Sequence, residues 1–351
     1  MQQSRDYPPK TTEGTADYEY YANNPLIERL RPRIEEFKND PDYEINMETL
    51  RRIDKKVIEE NIEREEAGVQ KSKERGLKQK AFENFITIEA KKLFGENVEV
   101  VPASHFDDIV NKIDIILEIK EGDKIIRLGI DASVTDVLEF VHRKILDNSR
   151  NRIRSGQTGV NYFKSVLEPD FKGNLENIPK VAIIIPEEQL GAIMQSVKNE
   201  KEKLPDVQSY LFESIKSQLE SQFAYVADLN ESKIKVENIM KSKEGSTLRL
   251  RHKDQELVDN FYNSLKNISS KGNWKDLPEL IKLFGENPIF KKESVVNLRY
   301  RDILLNIASS LSWIYKEKEV LEKVSQKETT PFGGAVANAV LSHWKPDDFR
   351  V

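Results

Sequence analysis

The chain of 351 residues contains no cysteine, and this absence excludes several kinds of chemistry. Without thiols it has no disulfide bonds, no zinc ribbon and no cysteine nucleophile. Its four histidines are scattered and form no H-x-x-x-H pair, so the sequence predicts no zinc site. The lack of cysteine is typical of a cytoplasmic protein, in which disulfides are rare.

Long apolar runs and nucleotide-binding motifs are missing as well. No apolar stretch approaches the roughly 20 residues that a membrane-spanning helix needs, and the N-terminus lacks the apolar core of a signal peptide. We therefore expect a soluble, cytoplasmic protein with no membrane-spanning segment. The sequence has no G-x-x-x-x-G-K-[ST] loop, no G-x-G-x-x-G after a strand and no G-x-S-x-G elbow. These absences argue against P-loop, dinucleotide and α/β-hydrolase chemistry.

Charged residues are plentiful but nearly balanced in sign. They make up 33% of the chain, and the formal net charge is −5. Proteins that bind polyanions are usually basic, so nucleic-acid binding here would depend on local basic patches. The most basic stretch is 240–272, which either lines a DNA channel or forms an ordinary solvated surface.

Composition and periodicity divide the chain into four parts. Residues 1–24 are polar with no helical period, and we expect a disordered or loosely docked tail. Residues 25–75 form a charged, helical N-terminal region, residues 76–230 alternate between helices and strands, and residues 231–351 form a helical C-terminal region. The tryptophans of this last region are expected in the core; they are Trp274, Trp313 and Trp344.

Within residues 76–230, hydrophobic periodicity predicts the elements that carry the site. Strands are predicted at 98–101, 113–119, 124–130 and 180–185, and helices at 78–93, 136–150 and 187–227. The first helix ends near Gly95, and Thr135 or Asp136 is the expected N-cap of the second. This order predicts an α/β fold of the mixed α+β type.

The two strands at 113–119 and 124–130 read as a β-hairpin around a turn at Gly122-Asp123. A two-residue turn at this position places Asp114 opposite Asp131, with their Cβ atoms roughly 4.5–5.5 Å apart. The other polar pair on this face, Glu118 with Arg127, is expected to be an ordinary cross-strand ion pair. The opposite face is wholly apolar and should meet a core; it comprises Ile113, Ile115, Leu117, Ile119, Ile126, Leu128 and Ile130.

The opposed aspartates need an explanation, because like charges directly across a sheet are destabilising. Two adjacent carboxylates share either a proton or a cation. Mg²⁺ takes one or two carboxylates together with waters and substrate phosphates, so it is the natural partner. The alternative is that Asp114 and Asp131 lie at solvated strand ends, and a shift of the register by one residue would separate them.

The flanking helices offer further candidates. Lys144 flanks the apolar stripe of the following helix, so its ammonium must extend to a polar pocket, where it can orient water or offset charge on a phosphate. The alternative is a rim lysine with a buried stem. In the preceding helix the helical wheel places Glu89 among apolar residues and Glu83 on another side, so geometry alone favours Glu89 as the inward-facing group.

The order of these pieces resembles the PD-(D/E)XK nuclease superfamily, which has the restriction-endonuclease-like fold. The order is a helix with Glu, a strand, a strand with Asp, a hairpin, a strand with Asp-x-Ser/Thr and a helix. The matching pieces are Ala81-Phe82-Glu83, residues 106–114 and the run Gly129-Ile130-Asp131-Ala132-Ser133, and the resemblance covers about residues 76–186. It implies a central mixed sheet flanked by helices, with N- and C-terminal helical additions.

The resemblance also implies an activity, which is the Mg²⁺- or Mn²⁺-dependent hydrolysis of phosphodiester bonds in DNA by an endo- or exodeoxyribonuclease. Its implied catalytic residues are Glu83, Asp114, Asp131 and Lys144, and the first three are the implied metal ligands. Glu83 is chosen over Glu89 by the family's order, and Asp108 is either an outer ligand or a turn cap. Ser133 stands where the family usually has lysine, and Lys144 stands where a migrated lysine would be.

The expected partners are DNA and a second copy of the chain, with no membrane. Two alternatives to a nuclease stay open. One is a nuclease fold that binds nucleic acid or protein without cutting, which Ser133 favours. The other is a structural or assembly protein of a phage or mobile element, which the large helical share favours.

Overall fold

At the centre of the fold is a four-stranded sheet with the strand order β1-β2-β3-β6. Its strands are β1 (Val98–Pro102), β2 (Ile115–Glu121), β3 (Lys124–Val134) and β6 (Lys180–Ile185). The first three strands are antiparallel neighbours, whereas β6 runs parallel to β3. The structure, a computed structural model, describes residues 13–37, 52, 54–60, 73–155, 158–199, 205–243, 252–271, 274–291 and 298–325.

A second sheet of two strands, β4 (Val160–Lys164) and β5 (Lys172–Leu175), lies in the connection between β3 and β6. Helices precede the central sheet, connect its strands and follow it. They are α1 (Glu13–Ala22), α2 (Pro25–Leu30), α3 (Lys73–Ile88), α4 (Ala90–Phe94), α5 (Leu138–Leu146), α6 (Arg152–Ser155), α7 (Glu187–Asn199), α8 (Pro205–Lys243), α9 (His252–Lys271), α10 (Leu277–Glu286) and α11 (Leu298–Ser325). The predicted α/β class with mixed sheet is therefore confirmed.

The hairpin register is also confirmed. The turn lies at Gly122-Asp123, Gly122 has a left-handed φ of 61°, and Glu121 pairs with Lys124. Six of the seven residues predicted on the apolar face pack in the main core. The exception is Ile113, which packs in a second cluster with Ile116, Phe163 and others. The prediction for Ile113 is wrong because β2 begins only at Ile115 and the chain before it leaves the regular alternation.

Two predicted helices differ from the structure at their ends. The helix predicted at 78–93 is divided into α3 and α4, and it ends as expected at Gly95, with a positive φ of 109°. The N-cap of α5 is Val137, and neither Thr135 nor Asp136 caps it. Asp136 instead accepts a hydrogen bond from the backbone N of Glu187 (2.9 Å), at the start of α7.

The free edge of β6 is covered by α8 through side chains that replace a neighbouring strand. Gln218 donates to the Ala182 carbonyl (2.7 Å) and accepts from the Ala182 N–H (2.8 Å), while Gln222 donates to the Lys180 carbonyl (2.6 Å). A sheet edge satisfied in this way cannot pair with another chain. Helix α8 continues without interruption past residue 230, so it joins the sheet to the C-terminal helices.

The C-terminal helices share the main hydrophobic core with the sheet. Trp313 packs edge-on against Phe212 of α8, with ring centroids 5.4 Å apart, and Trp274 packs against Phe223 at 5.5 Å. Both tryptophans are buried as predicted, whereas Trp344 and most of the basic stretch 240–272 lie outside the residues whose side chains are described. Among the described helices, none is both long and apolar enough to cross a membrane.

Part of the predicted N-terminal tail is ordered against the core. Residues 13–22 form α1, and Tyr21 is only 1% exposed. Asn84 of α3 donates to the Tyr21 carbonyl (2.8 Å), and the Tyr21 ring packs edge-on against Phe85. The prediction of a disordered or loosely docked tail is therefore wrong for residues 13–22. Their overall composition is polar, but their tyrosines give the helix a buried face.

Candidate active site

The structure brings Glu83, Asp114, Asp131 and Lys144 together at one end of the hairpin. Asp114 directly precedes β2, Asp131 lies on β3, Glu83 on α3 and Lys144 on α5. The charges of Glu83 and Asp131 both act on Asp114, and Lys144 acts on all three carboxylates. The site is therefore assembled from the hairpin and from one helix before it and one helix after it.

Asp114 is held in place by the backbone of the neighbouring strands. Its carboxylate Oδ2 accepts the Ala132 N–H (2.7 Å), and its own N–H donates to the Ile130 carbonyl (2.9 Å). The side chain thus replaces a backbone acceptor just beyond the last regular pair, Ile115 with Ile130. Burial raises the pKa of Asp114 well above its ordinary value, and the charges of nearby carboxylates, first Glu83 and then Asp131, raise it further.

Asp131 is paired with two lysines. Lys144 forms an ion pair with Oδ1, and Lys180 Nζ lies 3.5 Å from Oδ2. Burial lowers the pKa of Lys144, but the charges of Asp131 and Asp114 and the hydrogen bond to Asp131 outweigh it, so the pKa is raised. Burial lowers the pKa of Lys180 to about 8, against the opposing effect of Asp131.

Lys180 is a site residue that the sequence interpretation missed. Its side chain is 2% exposed and also donates to the Asn111 carbonyl (3.3 Å), which Arg152 Nη1 contacts at 2.8 Å. The signal in the sequence is a lysine that opens the otherwise apolar strand 180–185. A lysine at such a position has to find a buried acceptor.

Glu83 is held by Gln79, a second residue that the sequence interpretation missed. Gln79 Nε2 donates to Glu83 Oε1 (2.7 Å) and to the Ala132 carbonyl (2.8 Å), and Gln79 Oε1 accepts the Val134 N–H (3.0 Å). Burial, with the charge of Asp108, raises the pKa of Glu83 to about 7. The sequence does indicate this contact, because residues four apart on a helix, such as Gln79 and Glu83, lie side by side on its surface.

Glu89, which the helical wheel favours, lies outside this cluster. It accepts a hydrogen bond from the Tyr21 hydroxyl (3.1 Å) and forms an ion pair with Lys92 (2.9 Å). The wheel fails because the helix breaks at Glu89, which is the N-cap residue of α4, and because α1 covers this part of α3.

Asp108 lies at the border of the cluster, 3.9 Å from Arg31 Nη1, and its charge raises the pKa of both Glu83 and Asp114. The turn before β2 is instead held by Asp107, which is buried. The groups that donate to Asp107 are Ser104 Oγ, Asn111 Nδ2, Asn161 N and Tyr162 N, at 2.6–3.0 Å. The residue that stabilises this turn is thus Asp107, and Asp108 does not cap it.

The donors of the cluster match in part the metal that the resemblance implies. Carboxylate oxygens are the ligands that Mg²⁺ prefers, and burial, followed by the charges of neighbouring carboxylates, raises the pKa of Glu83 and of Asp114. However, no group of three or more acidic or histidine side chains in the described ranges is spaced to hold a metal ion. The donors therefore fit Mg²⁺ or Mn²⁺ in their chemistry but not in their spacing as a three-residue site, and Lys144 is paired with the Asp131 oxygen that a cation would use.

Comparison with known proteins gives no relative for this site: no family model, no curated protein and no solved structure matches the chain.

Proposed function

We propose that this chain is a metal-dependent nuclease that hydrolyses phosphodiester bonds in DNA. Asp114, Asp131 and Glu83 would bind Mg²⁺ or Mn²⁺, and Lys144 would act on the phosphate. The observation that carries the proposal is the assembly of three carboxylates and a lysine around the open end of one β-hairpin.

The electrostatics of the cluster support this proposal. The charges of Glu83 and Asp131 add to the effect of burial in raising the pKa of Asp114, so ionising all three carboxylates together is costly, and a divalent cation would remove that cost. Once bound, the cation would polarise the phosphoryl group and make water a better nucleophile. Perturbed carboxylates beside a lysine are typical of a catalytic site.

The accessibility of the two lysines separates their roles. The Lys144 side chain is 22% exposed, whereas that of Lys180 is 2% exposed. Lys144 can therefore reach a bound phosphate and offset the negative charge that develops during hydrolysis. Lys180 instead fixes the orientation of the Asp131 carboxylate from within the protein.

The order of elements gives further support. Helix α3, the antiparallel strands β1 to β3 and helix α5 follow one another in the order on which the resemblance rests, and the parallel strand β6 makes the sheet a mixed one. Fold order alone does not determine activity. The acidic residues lie on, or in the case of Asp114 directly before, the elements to which the resemblance assigns metal ligands, which supports the proposal.

A second candidate is a protein with this fold that binds nucleic acid without cutting it. The observation in its favour is that both oxygens of Asp131 already have lysine partners. Ser133, which is buried, also stands where the family usually has its catalytic lysine.

The experiment incubates the purified full chain with linear, circular and single-stranded DNA in Mg²⁺ or Mn²⁺. Asp114→Asn and Asp131→Asn should each reduce cleavage by about a hundredfold or more, since even indirect support of a metal ligand is worth about 10–100-fold. The matched control is Asp123→Asn at the exposed hairpin turn, which should cut like the unmodified protein. No cleavage of any DNA by the unmodified chain would move the conclusion to the second candidate.

A further inference from the structure

A cavity of about 330 Å³ lies beside the acidic cluster, between α2, residues 31–34, the helical segment 54–60 and the loop after β1. Its charged and polar lining comprises Glu28, Arg31, Arg33, Lys55, Glu59 and His105. The volume is at the lower end of the range for ligand pockets, about 300–1,000 Å³. The cavity therefore suits one small group and not an extended chain.

Arg31 connects this cavity with the acidic cluster. Its Nη1 lies 3.9 Å from Asp108 Oδ2 and donates to the Ala103 carbonyl (2.7 Å). Its charge also acts on Glu83, whose pKa it lowers. A group bound in the cavity would consequently lie next to the proposed catalytic residues.

The guanidinium of Arg31 has an unsatisfied donor. Its side chain is only 10% exposed, and Nε is buried without a hydrogen-bond partner among the described residues. The Glu28 carboxylate is 3.9 Å from Nε, which is beyond hydrogen-bond distance. A buried N–H without a partner is costly, so this donor favours a ligand that brings an acceptor oxygen.

The lining of the cavity has a small positive balance. Arg31, Arg33 and Lys55 are cationic, Glu28 and Glu59 offset two of the three charges, and Asp108 lies beside Arg31 at the border with the acidic cluster. This balance is too weak for a general polyanion channel. Arginine is well suited to a single phosphate, because its planar donors match phosphate oxygens.

We propose that this cavity is a subsite for one phosphate of the nucleic-acid strand that is bound at the acidic cluster, with Arg31 and Arg33 as its main ligands. The proposal rests on the proposed function, since it takes the strand at the cluster as given. The phosphate is either an internal backbone phosphate or the 5′-terminal phosphate of the strand.

The test measures binding of short, fluorescein-labelled DNA strands by fluorescence anisotropy in EDTA, where metal-dependent cleavage does not occur. Arg31→Gln and Arg33→Gln should each weaken binding by about tenfold, the factor for one lost charge-assisted hydrogen bond. Each should also reduce the salt dependence by about one counterion. The matched control is Arg29→Gln, which removes an exposed charge of α2 outside the cavity and should bind nearly as the unmodified chain does.

Two forms of each strand, with a 5′-phosphate and with a 5′-hydroxyl, distinguish the two sources. A preference for the 5′-phosphate that disappears in Arg31→Gln assigns a terminal phosphate, and equal affinity with the same loss assigns an internal one. Arg33→Gln keeps the test valid if Arg31→Gln fails to fold, because Arg33 does not carry the bond to the Ala103 carbonyl.

The proposal is overturned if the two cavity variants bind like Arg29→Gln, or if the unmodified chain binds none of the strands. Its failure is distinguishable from that of the proposed function. Cleavage with unchanged binding in the cavity variants rejects only the subsite. Binding that depends on Arg31 and Arg33 without any cleavage rejects only the nuclease.

Discussion

Gln79→Ala tests how the site is held, because Gln79 ties the helix that carries Glu83 to the strand that carries Asp131. The substitution removes three hydrogen bonds, to Glu83, to the Ala132 carbonyl and from the Val134 N–H. A hydrogen bond to a neutral partner contributes about 0.5–1.5 kcal/mol, and one to a charged partner about 1.5–3 kcal/mol. Because Gln79 is only partly buried, water can replace some of these hydrogen bonds in the variant. We therefore expect the free energy of unfolding to fall by about 3 kcal/mol.

The assay is thermal unfolding combined with DNA cleavage. At about 2 °C for each kcal/mol, the low end of the range for large domains, the Tm should fall by about 6 °C. Cleavage at saturating metal should fall by about 10–100-fold, as is usual when the support of a metal ligand is removed. Lys80→Ala, an exposed position on the same helix, is the control and should change the free energy of unfolding by less than about 0.5 kcal/mol. Equal effects of the two variants on both readouts would refute the reasoning.

The two lysines on Asp131 should behave differently. Lys144→Met should abolish cleavage but leave most DNA binding, whereas Lys180→Met should lower the free energy of unfolding by about 3 kcal/mol, because it breaks a buried pair; urea unfolding and cleavage assays separate the two. Mn²⁺ at about a hundred times its dissociation constant should stabilise the chain by about 2.7 kcal/mol, and Asp114→Asn should remove this gain in thermal unfolding. Although Glu213 is partly buried, which raises the pKa of its carboxyl, the hydrogen bond from Lys318 lowers that pKa below the ordinary value. The stability from this contact is therefore present above the unfolded pKa and lost as the pH falls through the folded one. Glu213→Gln should then lessen the loss of stability on acidification, measured by urea unfolding across this range.

The hairpin was predictable from the sequence because its determinants are local. A two-residue turn at Gly122-Asp123 fixes the register, and alternation then sorts the side chains to two faces. The ion pair of Glu118 with Arg127 followed from the same register, and it is present at 3.0 Å. The prediction for Ile113 fails because the regular strand begins only at Ile115. Before it, the Asp114 side chain, and not a backbone carbonyl, accepts the Ala132 N–H.

The rest of the site depends on contacts between distant segments. Lys180 meets Asp131 only because β6 returns parallel to β3. Glu89 is excluded by α1, a helix about 70 residues earlier that a helical wheel does not include. Likewise, Gln79 can hold Glu83 only because the end of β3 packs beside α3, where the Val134 N–H donates to the Gln79 side chain.

The ion pair of Lys144 with Asp131 provides the sharpest distinction between a nuclease and a protein that only binds. In a binding protein this pair is structural, so Lys144→Met should destabilise the chain by a similar amount with or without Mn²⁺. In a nuclease, Lys144 competes with the cation for Asp131, so its removal leaves a carboxylate that gains more from metal. The Tm increase on addition of Mn²⁺ should then be larger for Lys144→Met than for the unmodified chain, and Lys92→Met, which removes a lysine paired with Glu89 outside the cluster, should leave that increase unchanged. An equal or smaller increase for Lys144→Met would show that no metal competes for Asp131, and the nuclease proposal would lose its main support.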